Sequence, residues 1–525
     1  MGIAKRTMLV ISVTLACGHG HSDRGTPFGV DASAGAASDA SAGASGASPG
    51  VAPNAGAEPD APSAGTTAAS GAASPNLAPG SAATASSGGG GPDDGGGLSP
   101  LALDAEIAAL LVGISPDRIA SSIQTLVGFG TRNSCSGDTG GTQGIGAARD
   151  WIKAQFESVA GLKTTLHSFA IPACGSGAAR ENVIAALAST TRPDRLVVVG
   201  GHYDSRTVAV TDGTSPSPGA NDSGSQTAVV LELARVLAPH AFDATLVFAA
   251  FAGEEQGLVG SAALVKDLGS LFPGSHVVAM LNCDIVGGDN TANDAAALTR
   301  FRLYSPGTPR EVHTDGGTPD DTSPSRGLMR SVSAWGGAYV PALTPLLELR
   351  EDRPGRGGDH ESFIAAGDPG VRFIDPAENL DHEHTANDLF QYVTPSYTAQ
   401  LARVVAAVAA SLARAPDAPA GFVATGSTAS ATLAWSAPSA GPVDHYVVAA
   451  RPVTENLYRR RVRVDGTGGS LRAVDLGISD ASAFFVSVSA VDAAGHESLF
   501  AYPESRCDAS GCGVQPVWLN VTAVN

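Results

Sequence analysis

Positive charge is scarce in this chain. Its 525 residues hold 32 Lys and Arg against 51 Asp and Glu, a formal net charge of −19. The basic residues form no block and do not interleave with aromatics, which make up only 5% of the chain. That balance argues against nucleic acid as a partner and suits an exported, soluble surface. Long apolar runs are also missing: none reaches the ~18 residues that a membrane-spanning helix needs. Cysteine is rare, at 6 residues, so each one has to be accounted for singly. The length allows two or three domains with ample core in at least one. Nothing in the pattern speaks to oligomeric state.

Residues 1–17 read as an export signal: Lys5 and Arg6, then an apolar stretch from Met8 to Ala16, then Cys17. Thr14-Leu15-Ala16-Cys17 resembles a bacterial lipobox, with its leucine one residue later than that pattern expects. The expectation is therefore an exported protein, either secreted or held at the cell surface or outer membrane through a lipidated Cys17. That lipid would be its one link to a membrane. Residues 18–100 are nearly all Ala, Ser, Gly, Pro and Asp and have almost nothing to bury, the composition of a disordered linker. Export makes disulfides feasible. Cys507 and Cys512 are close in sequence and Cys135 and Cys174 flank the start of one domain, so these are the expected pairs. Cys283 is then the odd thiol, read as a small core residue.

Folded sequence starts near Leu101. Ser115-Pro116 before Ile119, Ile123 and Leu126 predicts a capped helix, and Gly144 to Val159 predicts a second with one apolar face. The pattern then alternates: strands Asn182 to Leu187 and Arg195 to Gly200, helix Gln226 to Leu237, strand Thr245 to Phe251, helix Leu258 to Leu268, strand His276 to Leu281. Continuous apolar strands separated by helices predict an α/β domain over 101–415, with a mostly parallel mixed sheet flanked by helices and closed by a helix from Pro395 to Ala413. After Ala415 the period changes to that of strands, at Val423 to Trp435, Pro442 to Ala450 and Ala483 to Val491. Residues 416–525 are thus predicted as an all-β sandwich with a C-terminal tail. Thr432-Leu433-Ala434-Trp435, His445-Tyr446-Val447-Val448 and Phe485 to Asp492 resemble a fibronectin type III domain.

The chemistry gathers where the α/β strands end. His202 and Asp204 follow one strand, Glu254 and Glu255 a second, and Asp284 a third, at the carboxyl ends where open α/β sheets place ligands. Asp222 stands in a loop just before a helix, and Asp381-His382-Glu383-His384-Thr385 adds imidazoles near the domain's end. Two His with three carboxylates and no Cys form a nitrogen–oxygen donor set suited to Zn²⁺, and less often to Mn²⁺ or Co²⁺. Five donors are too many for one catalytic zinc that keeps an open position; they suit two metals bridged by a carboxylate. Asp204 fits a group behind the metal, fixing the tautomer of His202. Adjacent residues on a strand point to opposite faces, so Glu255 can hold a cation while Glu254 moves protons.

These motifs, His202-x-Asp204, Gly219-Ala220-Asn221-Asp222, Gly253-Glu254-Glu255, Asn282-x-Asp284 and His384-Thr385, resemble the co-catalytic zinc aminopeptidases of metallopeptidase family twenty-eight. Gly358-Asp359-His360-x-x-Phe363 resembles a further signature of that family, and the likeness runs from about Gly128 to Ala413. It implies a zinc-exopeptidase-like fold and two zinc ions per chain. His202 and Asp284 would hold one ion, Glu255 and His384 the other, and Asp222 would bridge them. Glu254 would be the general base acting on a metal-bridging hydroxide, and a peptide would be the substrate. Thr385 and Asp388 favour His384 over His382 as the last ligand, while Asp359 and His360 read as structural. The chain departs from the family where Glu383 replaces a tyrosine that supports the transition state in many relatives. Arg356 is the candidate to take that part, with Arg353 and Arg372 read as ion-pair partners.

The function expected is an exported zinc exopeptidase, in the first place an aminopeptidase. The same fold and metal site also serve carboxypeptidase-like and glutaminyl-cyclase-like enzymes. A surface binding protein with an inactive enzyme domain is the alternative of another class, although no ligand and no base is missing.

Overall fold

The computed structural model describes residues 101–137, 141–175, 177–305, 323–352, 357–465, 468–472, 476 and 483–513. The export signal with Cys17, the 18–100 stretch, Arg353, Arg356 and the tail 514–525 lie outside them.

The first part of the chain alternates helices and strands. It begins with α1 (Ala105–Leu111), α2 (Pro116–Gly128), α3 (Gly144–Glu157), β1 (Lys163–Ala170), β2 (Ala179–Leu187), β3 (Arg192–His202), α4 (Gln226–Leu237), β4 (Ala244–Phe251), α5 (Val259–Leu271) and β5 (His276–Cys283). It continues through β6 (Arg300–Tyr304), α6 (Pro324–Tyr339), β7 (Thr344–Glu348), α7 (His360–Ala366), β8 (Gly370–Ile374) and α8 (Pro395–Arg414). Local chemistry starts α2 where it does: the Ser115 hydroxyl accepts the Arg118 N–H, and Pro116, which has no N–H to satisfy, stands in the first turn.

The eight strands form one sheet in the order β1-β2-β4-β3-β5-β8-β6-β7. Its centre, β4-β3-β5-β8, is parallel; β2 joins β4, β1 joins β2 and β6 joins β8 antiparallel, and β7 lies parallel to β6. The alternation of side chains along a strand explains why the central runs are apolar throughout. On β3, Val197 and Val199 enter the larger core, with α2, α4 and α8, while Leu196 and Val198 enter a second core, with Leu264 of α5 and Phe363 of α7. Each such fully buried side chain contributes about 1.5–3 kcal/mol. Helix α8 is rich in Ala and Val because its neighbours come close: a Cβ added to Gly336 of α6 would stand 2.9 Å from Val404 Cγ1.

The second part folds into two antiparallel sheets. Their strands are β9 (Ala420–Thr425), β10 (Thr432–Ser436), β11 (His445–Pro452), β12 (Arg460–Asp465), β13 (Gly468–Arg472), β14 (Phe484–Val491), β15 (Ser505–Cys507) and β16 (Cys512–Gly513). The orders are β13-β10-β9 and β12-β11-β14-β15-β16. Both sheets feed one separate core, in which Phe422, Leu433 and Trp435 join Tyr446, Val448, Phe484 and Val486. The run from Val423 to Trp435 is two strands, not one, because the chain turns at Gly426 with φ 95°. A disulfide links Cys507 and Cys512 across β15 and β16.

Ion pairs fasten this β part to the α/β part. Asp417 meets Arg192 at 2.8 Å and Arg195 at 3.0 Å, and Glu504 meets Arg330 of α6 at 3.1 Å. The Asp104 carboxylate accepts from both Arg414 of α8 and His496. Among the described residues no helix is long and apolar enough to cross a membrane.

Candidate active site

Three neighbouring strands end at one place. The residue pair before His202 is Gly200-Gly201, and both glycines are needed for close packing. A Cβ on Gly201 would sit 2.9 Å from the side chain of Gln226, the first residue of α4, and one on Gly200 would sit 2.6 Å from Phe251. His202 is therefore held against the start of α4, and its backbone carbonyl accepts the Thr227 hydroxyl at 2.7 Å. Its Nδ1 faces Asp204, 3.1 Å from the backbone carbonyl and 3.5 Å from Oδ1. The carbonyl is thus the nearer acceptor. The Asp204 carboxylate is also used by Ser134 (3.0 Å) and by the Glu255 N–H (3.3 Å).

The loop that carries Asp222 is shaped from behind by a buried guanidinium that sequence reasoning missed. Arg132 donates to the carbonyls of Tyr203, Leu126, Pro218 and Gly219, which ties the end of β3 to that loop. Burial lowers its pKa to about 10, opposed by the nearby carboxylates of Asp388 and Asp204. Gly219 adopts φ 53°, and a Cβ there would meet Arg132 Nη2 at 2.9 Å. From the other side, Asp388 takes the Asn221 N–H on Oδ1 and the Asp222 N–H on Oδ2, each at 2.8 Å. Asp375 holds Asn221 through its side-chain amide at 2.9 Å.

In this frame Asp222 faces two ways. Its Oδ1 lies 3.3 Å from His202 Nε2 and its Oδ2 lies 2.9 Å from His384 Nε2. On the His202 side stand Asp284 Oδ1 at 3.5 Å and Glu254 Oε2 at 4.0 Å. On the His384 side stand Glu255 Oε2 at 3.4 Å and Glu383 Oε1 at 3.7 Å. The six expected residues, His202, Asp222, Glu254, Glu255, Asp284 and His384, line one cavity of about 150 Å³. His382 points elsewhere, bonded to Asp289 at 2.6 Å and stacked on Tyr392. Arg372 forms ion pairs with Asp284 at 2.9 Å and Asp352 at 3.1 Å. A disulfide joins Cys135 and Cys174, and Cys283, next to Asp284 in sequence, is a buried free thiol.

Backbone strain marks the same spot independently. Among the described residues, Leu258, Ile285 and His384 are the three non-glycine residues with positive φ, at 60°, 51° and 56°. All three line this cavity. For a β-branched residue such as Ile285 the left-handed region is unusual, and such outliers cluster at functional sites.

Electrostatically the cavity crowds negative charge. Burial pushes the Glu254 carboxyl well above its ordinary range, opposed by His202 and reinforced by the charges of Glu255 and Asp284. Glu255 is pushed up to about 7 by burial and by Asp222. Burial acts on Asp222 in the same sense, yet the imidazoles of His202 and His384 hold it well below the carboxylate range. The buried Asp222 Oδ1 and Glu255 Oε1 accept no hydrogen bond among the described residues. Buried oxygens without donors, among imidazole nitrogens and no sulfur, fit Zn²⁺. His202, Asp222 and Glu255 form one donor set, His202, Glu254 and Asp284 a second, and Asp222, Glu383 and His384 a third.

Comparison with known proteins decides the family. The model described as Peptidase family M28 matches residues 182–409. A zinc metalloprotease of Leptosphaeria maculans, named as a probable one, is 36% identical over 400 residues, covering 71% of this chain and 92% of its own length. The chain belongs to peptidase family M28. A similar protein of Pyricularia oryzae, named in the same way, is 36% identical over 393 residues, covering 69% of this chain and 78% of its own. The LapA aminopeptidase of Legionella pneumophila has a TM-score of 0.46 at 21% identity, over 59% of this chain and 75% of its own. At that level of likeness no property of LapA is carried over. The chain is thus a zinc metalloprotease of this family, with a large mixed sheet flanked by helices.

Proposed function

We propose that this M28 peptidase removes N-terminal residues from peptides, with two zinc ions that His202, Asp222, Glu255, Asp284 and His384 would hold. The observation that carries this reading is the division of the Asp222 carboxylate, with one oxygen toward His202 and the other toward His384. His202 and Asp284 would hold one ion, and Glu255 and His384 the other. When bound, the zinc ions supply Lewis-acid polarisation of the scissile carbonyl and acidify water.

The chain's own residues do the rest. Glu254 stands on the His202 side with its carboxyl raised by burial, so it is suited to take a proton from the attacking water and return it to the departing amine. Arg372 holds Asp284 by Oδ2, which keeps Oδ1 turned toward His202.

We further infer export, either as a secreted protein or held at the surface by a lipidated Cys17, and a fibronectin type III-like sandwich at 416–525 that spaces or binds. Aminoacyl nitroanilides tested against N-terminal glutaminyl peptides and against N-terminally blocked peptides with a free C-terminus separate aminopeptidase from cyclase and carboxypeptidase action. Release of the N-terminal residue, abolished by EDTA and restored by zinc, is expected. No release from any aminoacyl substrate with zinc added would sink the proposal, and binding that survives EDTA without turnover would favour an adhesive protein.

A further inference from the structure

One cation at the cavity wall is left over by this mechanism. Arg206 follows the His202-x-Asp204 turn and lines the cavity with the expected ligands. Its Nε donates to Glu255 Oε2 at 2.6 Å and its Nη1 to the Thr207 carbonyl at 3.2 Å. Those two bonds fix the guanidinium plane. They leave Nη2 without a partner among the described residues, on a side chain that is 19% exposed. The other lining arginine is placed differently, because Arg372 has Asp352 as a counter-ion outside the cavity in addition to Asp284.

The charge balance points the same way. The lining carboxylates are Asp222, Glu254, Glu255 and Asp284, which two divalent cations would neutralise. Among the residues that line the cavity, Arg206 would then carry a positive charge that the lining carboxylates no longer offset. The strap after it is tied down at the Val210 carbonyl by the side-chain amides of Asn133 (2.9 Å) and Gln256 (2.9 Å). A planar, anchored guanidinium with Nη2 still open can give a carboxylate a charge-assisted hydrogen bond.

We propose that Arg206 is a specificity-determining residue that receives a substrate carboxylate, so that this site prefers peptides bearing a negative charge close to the scissile bond. The carboxylate can be the α-carboxylate of a dipeptide or an acidic side chain. This rests on the proposed hydrolytic reading.

The test compares zinc-loaded wild type, Arg206→Gln and Arg206→Lys on leucyl-glycine, leucyl-glutamyl amide and leucyl-glycine amide. The wild type should favour at least one carboxylate-bearing substrate over the neutral amide by on the order of tenfold or more in kcat/KM, carried mainly in KM. Which of the two it favours identifies the carboxylate. Arg206→Gln should abolish that preference, and Arg206→Lys should restore part of it. The ratio between substrates cancels any common effect on metal content, which Arg206 could influence through Glu255. A wild type without preference, or a preference that survives Arg206→Gln, overturns the inference and leaves the hydrolytic reading standing. If the wild type cleaves none of the three, the wider aminoacyl panel decides the hydrolytic reading, and calorimetric binding of glutarate against glutaramide decides the role of Arg206. Tighter glutarate binding that is lost in Arg206→Gln supports it, and equal binding refutes it.

Discussion

Replacing Asp388 with alanine strips the acceptors from two buried backbone N–H groups, those of Asn221 and Asp222. Each orphaned donor costs roughly 1–3 kcal/mol. Part of that is offset, because burial pushes the Asp388 carboxyl up to about 7, so its removal also relieves an unfavourable buried charge. The net loss of stability should be about 2–4 kcal/mol. The loop then loses the contact that aims Asp222 between His202 and His384, and zinc affinity should fall by roughly 10- to 100-fold, as when groups supporting a metal ligand are removed. Asp388→Asn keeps one acceptor and should show about half of both effects. Denaturant unfolding measures the first effect and titration against a chelator of known affinity the second. If Asp388→Ala unfolds within about 0.5 kcal/mol of wild type and binds zinc equally well, Asp388 does not hold the loop and the account of Asp222 is wrong.

Other outcomes follow from the same geometry. Gly201→Ala places a methyl group 2.9 Å from Gln226 and 3.1 Å from the Cys283 carbonyl, so it should cost about 1–3 kcal/mol in thermal unfolding and lower activity by displacing His202. Replacing both Cys135 and Cys174 with serine opens a link spanning 39 residues and should cost about 2–4 kcal/mol, seen as a lower denaturant midpoint. Asp104 joins α1 to Arg414 and His496, and although burial acts to raise its pKa, these hydrogen bonds and that from the Glu106 N–H bring it down to about 2. A depressed carboxylate stabilises the fold above its unfolded pKa near 4 and ceases to do so as pH falls through its folded value. The gap in melting temperature between wild type and Asp104→Asn should therefore be full at pH 6 and shrink between about pH 4 and pH 2. A gap independent of pH across that range would mean that Asp104 is not stabilising as an ion.

What the sequence made legible was what depends on near neighbours. The central strands β3, β4 and β5 are buried on both faces and read as continuous apolar runs, and α2 announces itself through Ser115-Pro116. Strand β1 was missed because it is a polar sheet edge, with only His167 fully buried along Lys163–Ala170. Strands β6, β7 and β8 are five residues each, too short to show a period, and α6 carries Arg326 and Arg330 on buried positions. Those arginines are satisfied by carbonyls far away in the chain, such as Ser305 and Asn456, which no local pattern reveals. The candidate site divides in the same way. His202, Glu254, Glu255 and Asp284 stand at strand ends, where chain order alone places them. Arg132, Asp375 and Asp388 do their work across 86, 154 and 167 residues of sequence, and only the folded chain brings them to the Asp222 loop. His382 and His384 also part in space, where His382 bonds to Asp289 and His384 faces Asp222.

The central claim is that Glu254 moves protons beside a two-zinc site that it does not help to hold. The geometry makes this a sharp question, since Glu254 forms a donor set with His202 and Asp284. The direct measurement is zinc content and turnover of Glu254→Gln, determined on the same preparation. The account predicts about two zinc ions per chain, as in the wild type, with kcat lowered by roughly 10²- to 10⁴-fold. Loss of zinc from that variant, or retention of wild-type turnover, would contradict it.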